Sequence, residues 1–233
     1  MARLEARDLR GGYPGVTVFS GVSFSVESGE VLTVLGANGS GKSALLETLQ
    51  GLLETGGGAI LLNGEPVQDL PAEARARRGM ILLSDRRRLW RDMTVGEHLR
   101  VGAFRAEARP GWRRRAVELV GLFPGLAERR GALPVHLSGG LQQQLALARL
   151  GMSCPRAWLL DDPLQGLDDA MKGRVLDWIR GAAESGAAVL LTGQDIRSLL
   201  GVARKAMFLE GGSLTPLPSG ADGLQDARVR QLL

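Results

Sequence analysis

Cysteine is almost missing from this chain: Cys154 is the only one in 233 residues. An internal disulfide is therefore impossible, and the composition fits a reducing compartment. Long apolar runs are missing too. Although 44% of the residues are hydrophobic, no stretch approaches the roughly 18 apolar residues that a membrane-crossing helix needs. The opening residues Met1-Ala2-Arg3-Leu4-Glu5 lack the apolar core of a signal peptide. Together these absences point to a cytoplasmic location. Lysine is scarce, with only Lys42, Lys172 and Lys205 among 29 basic residues. The rest are arginines scattered along the chain. The formal charge of +4 therefore reads as a compositional bias, and no nucleic-acid partner is expected. Histidine is limited to His98 and His136, and each reads as a surface or packing residue.

What is present is an alternation of strands and helices. Leu4–Arg10 and Val16–Val26 alternate apolar and polar residues as half-buried strands do. Glu30–Leu35 is nearly all apolar, as expected of a strand covered on both faces. Ser43–Leu53 follows as a helix, and Ala59–Leu62 as a strand ending in a turn at Asn63-Gly64. Met80–Ser84 is a further strand. The pattern then turns helical over Val95–Ala103, Arg113–Val120 and Leu141–Met152. Residues 86–152 are thus expected to form a helical lobe inserted into one domain spanning 1–233. Strands resume at Ala157–Leu160, Ala187–Leu191 and Ala206–Leu209, around a helix at Asp169–Ala183. A tail from Ala221 to Leu233 reads as a short helix. Such alternation predicts an α/β fold with a mainly parallel sheet and an antiparallel β part at its amino terminus.

The chemistry concentrates in two places. Gly36-Ala37-Asn38-Gly39-Ser40-Gly41-Lys42-Ser43 matches G-x-x-x-x-G-K-[ST] between a strand and a helix. The glycines let backbone N–H groups converge on phosphate oxygens, and the helix aims its positive end at them. Lys42, one of only three lysines, stands where the loop needs a cation for the β- and γ-phosphates. The Ser43 hydroxyl is expected to ligate Mg²⁺. The second place is Trp158-Leu159-Leu160-Asp161-Asp162-Pro163, an apolar strand ending in acids at the sheet's carboxyl edge. Asp161 is expected to hold Mg²⁺ directly or through water. Asp162 is placed to orient or deprotonate an attacking water. The other reading is that both acids cap the helix that begins near Asp168.

With Leu137-Ser138-Gly139-Gly140, followed by Gln142 and Gln143, the chain resembles the ATP-binding cassette (ABC) transporter ATPases. The resemblance covers about 210 residues in the family's order, and it implies a P-loop NTPase that binds ATP and Mg²⁺. In that family this signature faces the phosphate loop of an opposing subunit. Ser138, Gly139 and Gly140 would then contact the γ-phosphate across a dimer. Read alone, the same segment is a loop and a helix N-cap at Ser138. Tyr13 matches the aromatic residue that stacks on adenine, and Leu164–Asp168 matches the loop that crosses the dimer interface. Ser84–Trp90 and Met93–Leu99 resemble, more narrowly, the second ATPase of branched-chain amino acid importers. That subfamily has glutamine where most relatives carry a switch histidine, and Gln194 stands there in this chain.

Two residues depart from even that subgroup. Asp85 stands where it has glutamate, and Asp162 replaces the usual catalytic glutamate. A carboxylate at position 85 still suits Mg²⁺. ATP binding is expected to survive and hydrolysis to be slow. The resemblance implies a subunit at the inner face of the membrane, held by permease subunits and paired with itself or a second ATPase. A lipid or other exporter subunit and a weakly hydrolysing regulatory module are the alternatives. The solute is open among branched-chain and other amino acids, amides and urea.

Overall fold

The structure, a computed structural model, describes residues 2–85, 87–218 and 220–233. Met1, and Arg86 at the expected start of the helical lobe, lie outside the described residues.

β1 (Leu4–Tyr13) and β2 (Val16–Val26) form an antiparallel ribbon. Leu4 and Ala6 face inward, and so do Leu9 and Gly11. The inward phase changes because Asp8 adopts a φ of 47°, a bulge that inserts one residue between the two pairs. β3 (Val31–Leu35) leads to α1 (Lys42–Gln50). β4 (Thr55–Leu62) and the short β5 (Glu65–Pro66) extend the ribbon into a four-stranded sheet of order β2-β1-β4-β5. Then come α2 (Ala72–Arg77) and β6 (Met80–Leu83). The helices α3 (Val95–Gly102), α4 (Trp112–Leu122) and α5 (Gly139–Met152) follow. The chain returns through β7 (Ala157–Asp161), α6 (Asp169–Glu184), β8 (Ala188–Thr192) and α7 (Ile196–Val202). It ends with the hairpin β9 (Lys205–Glu210) and β10 (Ser213–Leu217), then the short helices α8 (Gly220–Gly223) and α9 (Ala227–Arg230).

The main sheet has the order β10-β9-β3-β8-β7-β6, parallel except for β10 at its edge. Its central strands are buried along their whole length. Successive side chains enter different cores, as strand geometry dictates. Leu32, Val34, Leu159 and Leu190 join α1 and the antiparallel sheet in one core. Val31, Leu35, Trp158, Leu160, Val189 and Leu191 join α5 and α6 in the other.

Several elements differ from the sequence reading. α1 ends at Gln50, not Leu53, because Gly51 turns left-handed at φ 82° and its N–H caps the Glu47 and Thr48 carbonyls. β4 starts at Thr55, four residues early, and runs through three glycines. Gly58 is required there, since a Cβ on it would stand 2.3 Å from the Asp8 carbonyl oxygen of β1. α2, β5, α7 and β10 were not anticipated, and α6 begins on its own cap, Asp168, which accepts from Met171 N at 2.8 Å. Asp161 and Asp162 therefore do not cap it.

Two buried arginines end the site's helices. Arg75 donates to the Thr48 and Leu49 carbonyls at the end of α1, at 2.9 and 2.7 Å. It also donates to the Leu70 and Gln68 carbonyls. Arg105 donates to the Ser153 and Cys154 carbonyls at the end of α5 and to Arg77 O of α2. A cation at a helix carboxyl end satisfies orphan carbonyls and complements the macrodipole.

Candidate functional site

The glycine loop is closed by tight packing. A Cβ on Gly36 would lie 2.4 Å from Leu209 O, and one on Gly41 would lie 2.5 Å from Val18 Cγ1. Gly41 also has a φ of 105°, which L side chains rarely adopt. α1 starts directly after it, with no side-chain cap and no acid in its first turn. Its first N–H groups are left for a ligand. Among the described residues the Ser40 hydroxyl is buried without a protein partner. A glycine cradle, an uncapped helix start and an orphaned hydroxyl together fit a bound phosphate chain. Lys42 folds back, with Nζ donating to Gly36 O at 2.7 Å and Ala37 O at 2.8 Å. Burial lowers its pKa, opposed by Asp161 and Asp162.

A cleft of about 290 Å³ opens in front of this loop. Tyr13, Asn38, Gly39, Gly41, Lys42 and Ser43 line it. Asp85, Asp161, Asp162 and Gln194 line it as well, together with Gln165 and Gly193. Tyr13 is half exposed at the end of β1. Gly36 and Ser40 are not part of that lining. The structure thus gathers ten of the sequence-selected residues in one place. Ser43, Asp161 and Asp85 offer hard oxygen donors suited to Mg²⁺, which usually fills its shell with substrate phosphates and water. Among the described residues, no three His, Cys, Asp or Glu side chains converge as a metal site of their own.

Asp161 closes β7 and accepts a 2.7 Å hydrogen bond from the Thr192 hydroxyl. Both residues are buried. Asp162 turns sharply, with a φ of 48°, and its N–H donates to Thr192 O at 2.9 Å. A Cβ on Gly193 would stand 3.1 Å from its Oδ1, so the carboxylate lies against the end of β8. Burial pushes its pKa up, and the Asp161 and Asp85 carboxylates add to this. The Gln194 backbone N–H and the Lys42 ammonium oppose the shift.

Ser138, Gly139 and Gly140 are not in this cleft. They start α5, where Ser138 Oγ accepts from Leu141 N at 3.3 Å. A Cβ on Gly140 would meet Gly166 O at 2.7 Å, so the signature presses against the Leu164–Asp168 loop of the same chain. The sequence reading named Gln143 only as part of the signature and gave Arg149 no role, yet both brace these parts. Gln143 is buried and donates to Pro163 O at 2.9 Å. Arg149 donates to the Arg88 and Arg87 carbonyls at 2.8 and 3.0 Å and stacks on Trp90. Burial lowers its pKa to about 10. His98 is fully buried, accepts from Trp90 N at 3.1 Å and contacts Thr94 O, whereas His136 is exposed. A separate groove of about 460 Å³ lies between α2, α3 and α5, with Leu52, Trp90, Val101 and Phe104 exposed along it.

The sequence profile described as ABC transporter matches residues 19–165. The high-affinity branched-chain amino acid transport ATP-binding protein BraG of Pseudomonas aeruginosa is 34% identical over 94% of this chain and 93% of its own. The lipopolysaccharide export system ATP-binding protein LptB of Escherichia coli is 31% identical over all of this chain and 97% of its own. A solved structure of an ATP-binding subunit of an ABC transporter superposes with a TM-score of 0.87 at 28% identity, covering 98% of this chain and 97% of that one. A dimeric bacterial ABC transporter cassette, 22% identical, shares the fold with a TM-score of 0.81 over 91% of this chain and 96% of its own. The chain belongs to the ABC transporter family, as an ATP-binding, ATP-hydrolysing subunit of a transporter.

Proposed function

We propose that the chain drives an importer of branched-chain or chemically related amino acids. The observation that carries the ATPase chemistry is the convergence of Lys42, Ser43, Asp161 and Asp162 on one cleft at the carboxyl edge of the sheet. The backbone N–H groups of the glycine loop and Lys42 bind the triphosphate, and Tyr13 packs against the base. Ser43, Asp161 and Asp85 are the residues that would hold Mg²⁺. When bound, the ion offsets negative charge on the phosphate oxygens. Asp162 orients the attacking water and draws its proton, and Gln194 stands where relatives place a histidine beside the γ-phosphate.

Two such subunits close on ATP, with Ser138, Gly139 and Gly140 of one facing the loop of the other. Residues 86–152 act as a helical lobe within the single domain 1–233. The groove at Trp90 and Phe104 receives a helix of a membrane permease, which holds the subunit at the inner face of the membrane. The solute class is supported by the Ser84–Trp90 pattern, by Gln194, and by the similarity to BraG. The similarity to LptB supports an exporter as the second reading. The test is to purify the chain with its permease and measure ATP-dependent uptake of labelled leucine into vesicles. Uptake absent with a competent complex, or outward lipid movement in its place, rejects the importer. Absent phosphate release from the purified complex would favour a regulatory module.

A further inference from the structure

Arg87 carries the chemistry of an anion ligand and has no acidic partner among the described residues. Its guanidinium stands at the start of α5. One terminal nitrogen is 3.7 Å from where a Cβ on Gly139 would be, and the other is 3.6 Å from the same point on Gly166. The Nε atom donates to Gln143 Oε1 at 3.0 Å. Gln143 is in turn fixed to Pro163 O. This anchor uses one nitrogen and leaves the two terminal ones without a protein acceptor among the described residues. The neighbouring Arg88 behaves differently and pairs with Glu47 at 2.9 Å. The backbone is also committed. Arg87 and Arg88 have φ values of 56° and 43°, conformations that arginine rarely adopts, and Arg149 of α5 grips both carbonyls.

A cation anchored at the amino end of a 14-residue helix with no acid in its first turn meets the positive pole of that helix. The arrangement is electrostatically unfavourable until an anion joins it. A guanidinium fork suits a phosphate, which can accept from both terminal nitrogens. We propose that Arg87 is a phosphate ligand acting across the dimer, contacting the γ-phosphate of ATP held by the opposing subunit's phosphate loop. This rests on the proposed function above, in which the start of α5 faces that nucleotide. It supplies a cation that the segment Leu137–Gln144 lacks.

The experiment measures ATP-driven dimer formation by sedimentation, in an Asp162→Asn background that slows hydrolysis. Arg87→Ala should weaken ATP-driven closure by about 10- to 100-fold, the worth of a charge-assisted hydrogen bond. Arg87→Lys should recover part of it. Binding of a fluorescent ATP analogue to the isolated chain should stay at the wild-type level, and so should the Tm of the nucleotide-free chain, which loss of a merely structural brace would lower. Mixing Arg87→Ala with Lys42→Ala chains should restore closure above either alone, because one composite site of the mixed pair carries neither change. Unaltered closure in Arg87→Ala overturns the inference alone, and no gain on mixing overturns its assignment across the dimer. A parent chain that binds ATP but never closes on it, alone or with its partner ATPase, overturns the proposed function and this inference with it.

Discussion

Replacing Asp162 by glutamate should speed hydrolysis. The backbone at 162 is pinned by its N–H bond to Thr192 O, at 2.9 Å, and by its left-handed φ of 48°. The carboxylate is drawn back against Gly193, whose Cβ position lies 3.1 Å from Oδ1. Held there, an aspartate reaches one methylene less far toward an attacking water than a glutamate at the same position would. Glutamate adds one methylene, a reach of about 1.5 Å. Misplacing a catalytic group by ~1 Å can cost ~10²-fold. The single-turnover rate of Asp162→Glu should therefore rise about 10- to 100-fold. Nucleotide affinity should stay within about twofold, because binding rests on the loop and Lys42. Rapid-quench measurement of phosphate with enzyme in excess reads the rate, and equilibrium titration reads the affinity. A glutamate variant no faster than wild type refutes the reasoning. So does a rise in rate matched by an equal gain in ATP affinity.

Two other outcomes are open to measurement. The single-turnover rate should rise with pH through the elevated pKa of Asp162, since only the ionised carboxylate takes a proton. Removing the Asp85 charge, as in Asp85→Asn, lowers that pKa and should move the acid limb to lower pH; an unmoved limb, or one moved upward, contradicts the assignment. Thr192→Val deletes the buried 2.7 Å hydrogen bond to Asp161. It should destabilise the nucleotide-free chain by about 2 kcal/mol and lower its Tm by roughly 4–8 °C. An unchanged Tm in calorimetry would show that Asp161 does not depend on that hydroxyl.

The parts legible in the sequence are those where local pattern and function coincide. The run Glu30–Ser43 reads directly because a doubly covered strand must be apolar and the turn after it must be glycine-rich. Asp161 and Asp162 read because an acid ending an apolar strand has few structural uses. β4 was shortened because glycine disfavours strands, and Gly58 is there for the close passage of β1 rather than for strand propensity. α2 has only six residues, too few for a helical period to emerge. The folding of Lys42 onto its own loop, and the contact of Arg87 with Gln143 56 residues away, depend on tertiary placement that periodicity does not encode.

The buried arginines at the ends of α1 and α5 have a mechanical consequence. Gln50 at the end of α1, Ser153 just beyond α5, and Ala72, Ala76 and Arg77 of α2 all border the groove beside Trp90. Arg75 lashes the first helix to α2 and the loop before it, and Arg105 lashes the last turn of α5 to α2 as well. The two helices that start at the phosphate loop and at the signature are thus hinged at their far ends on one shared strut. A wedge entering the groove would bear on that strut, and through it on the far ends of both helices together.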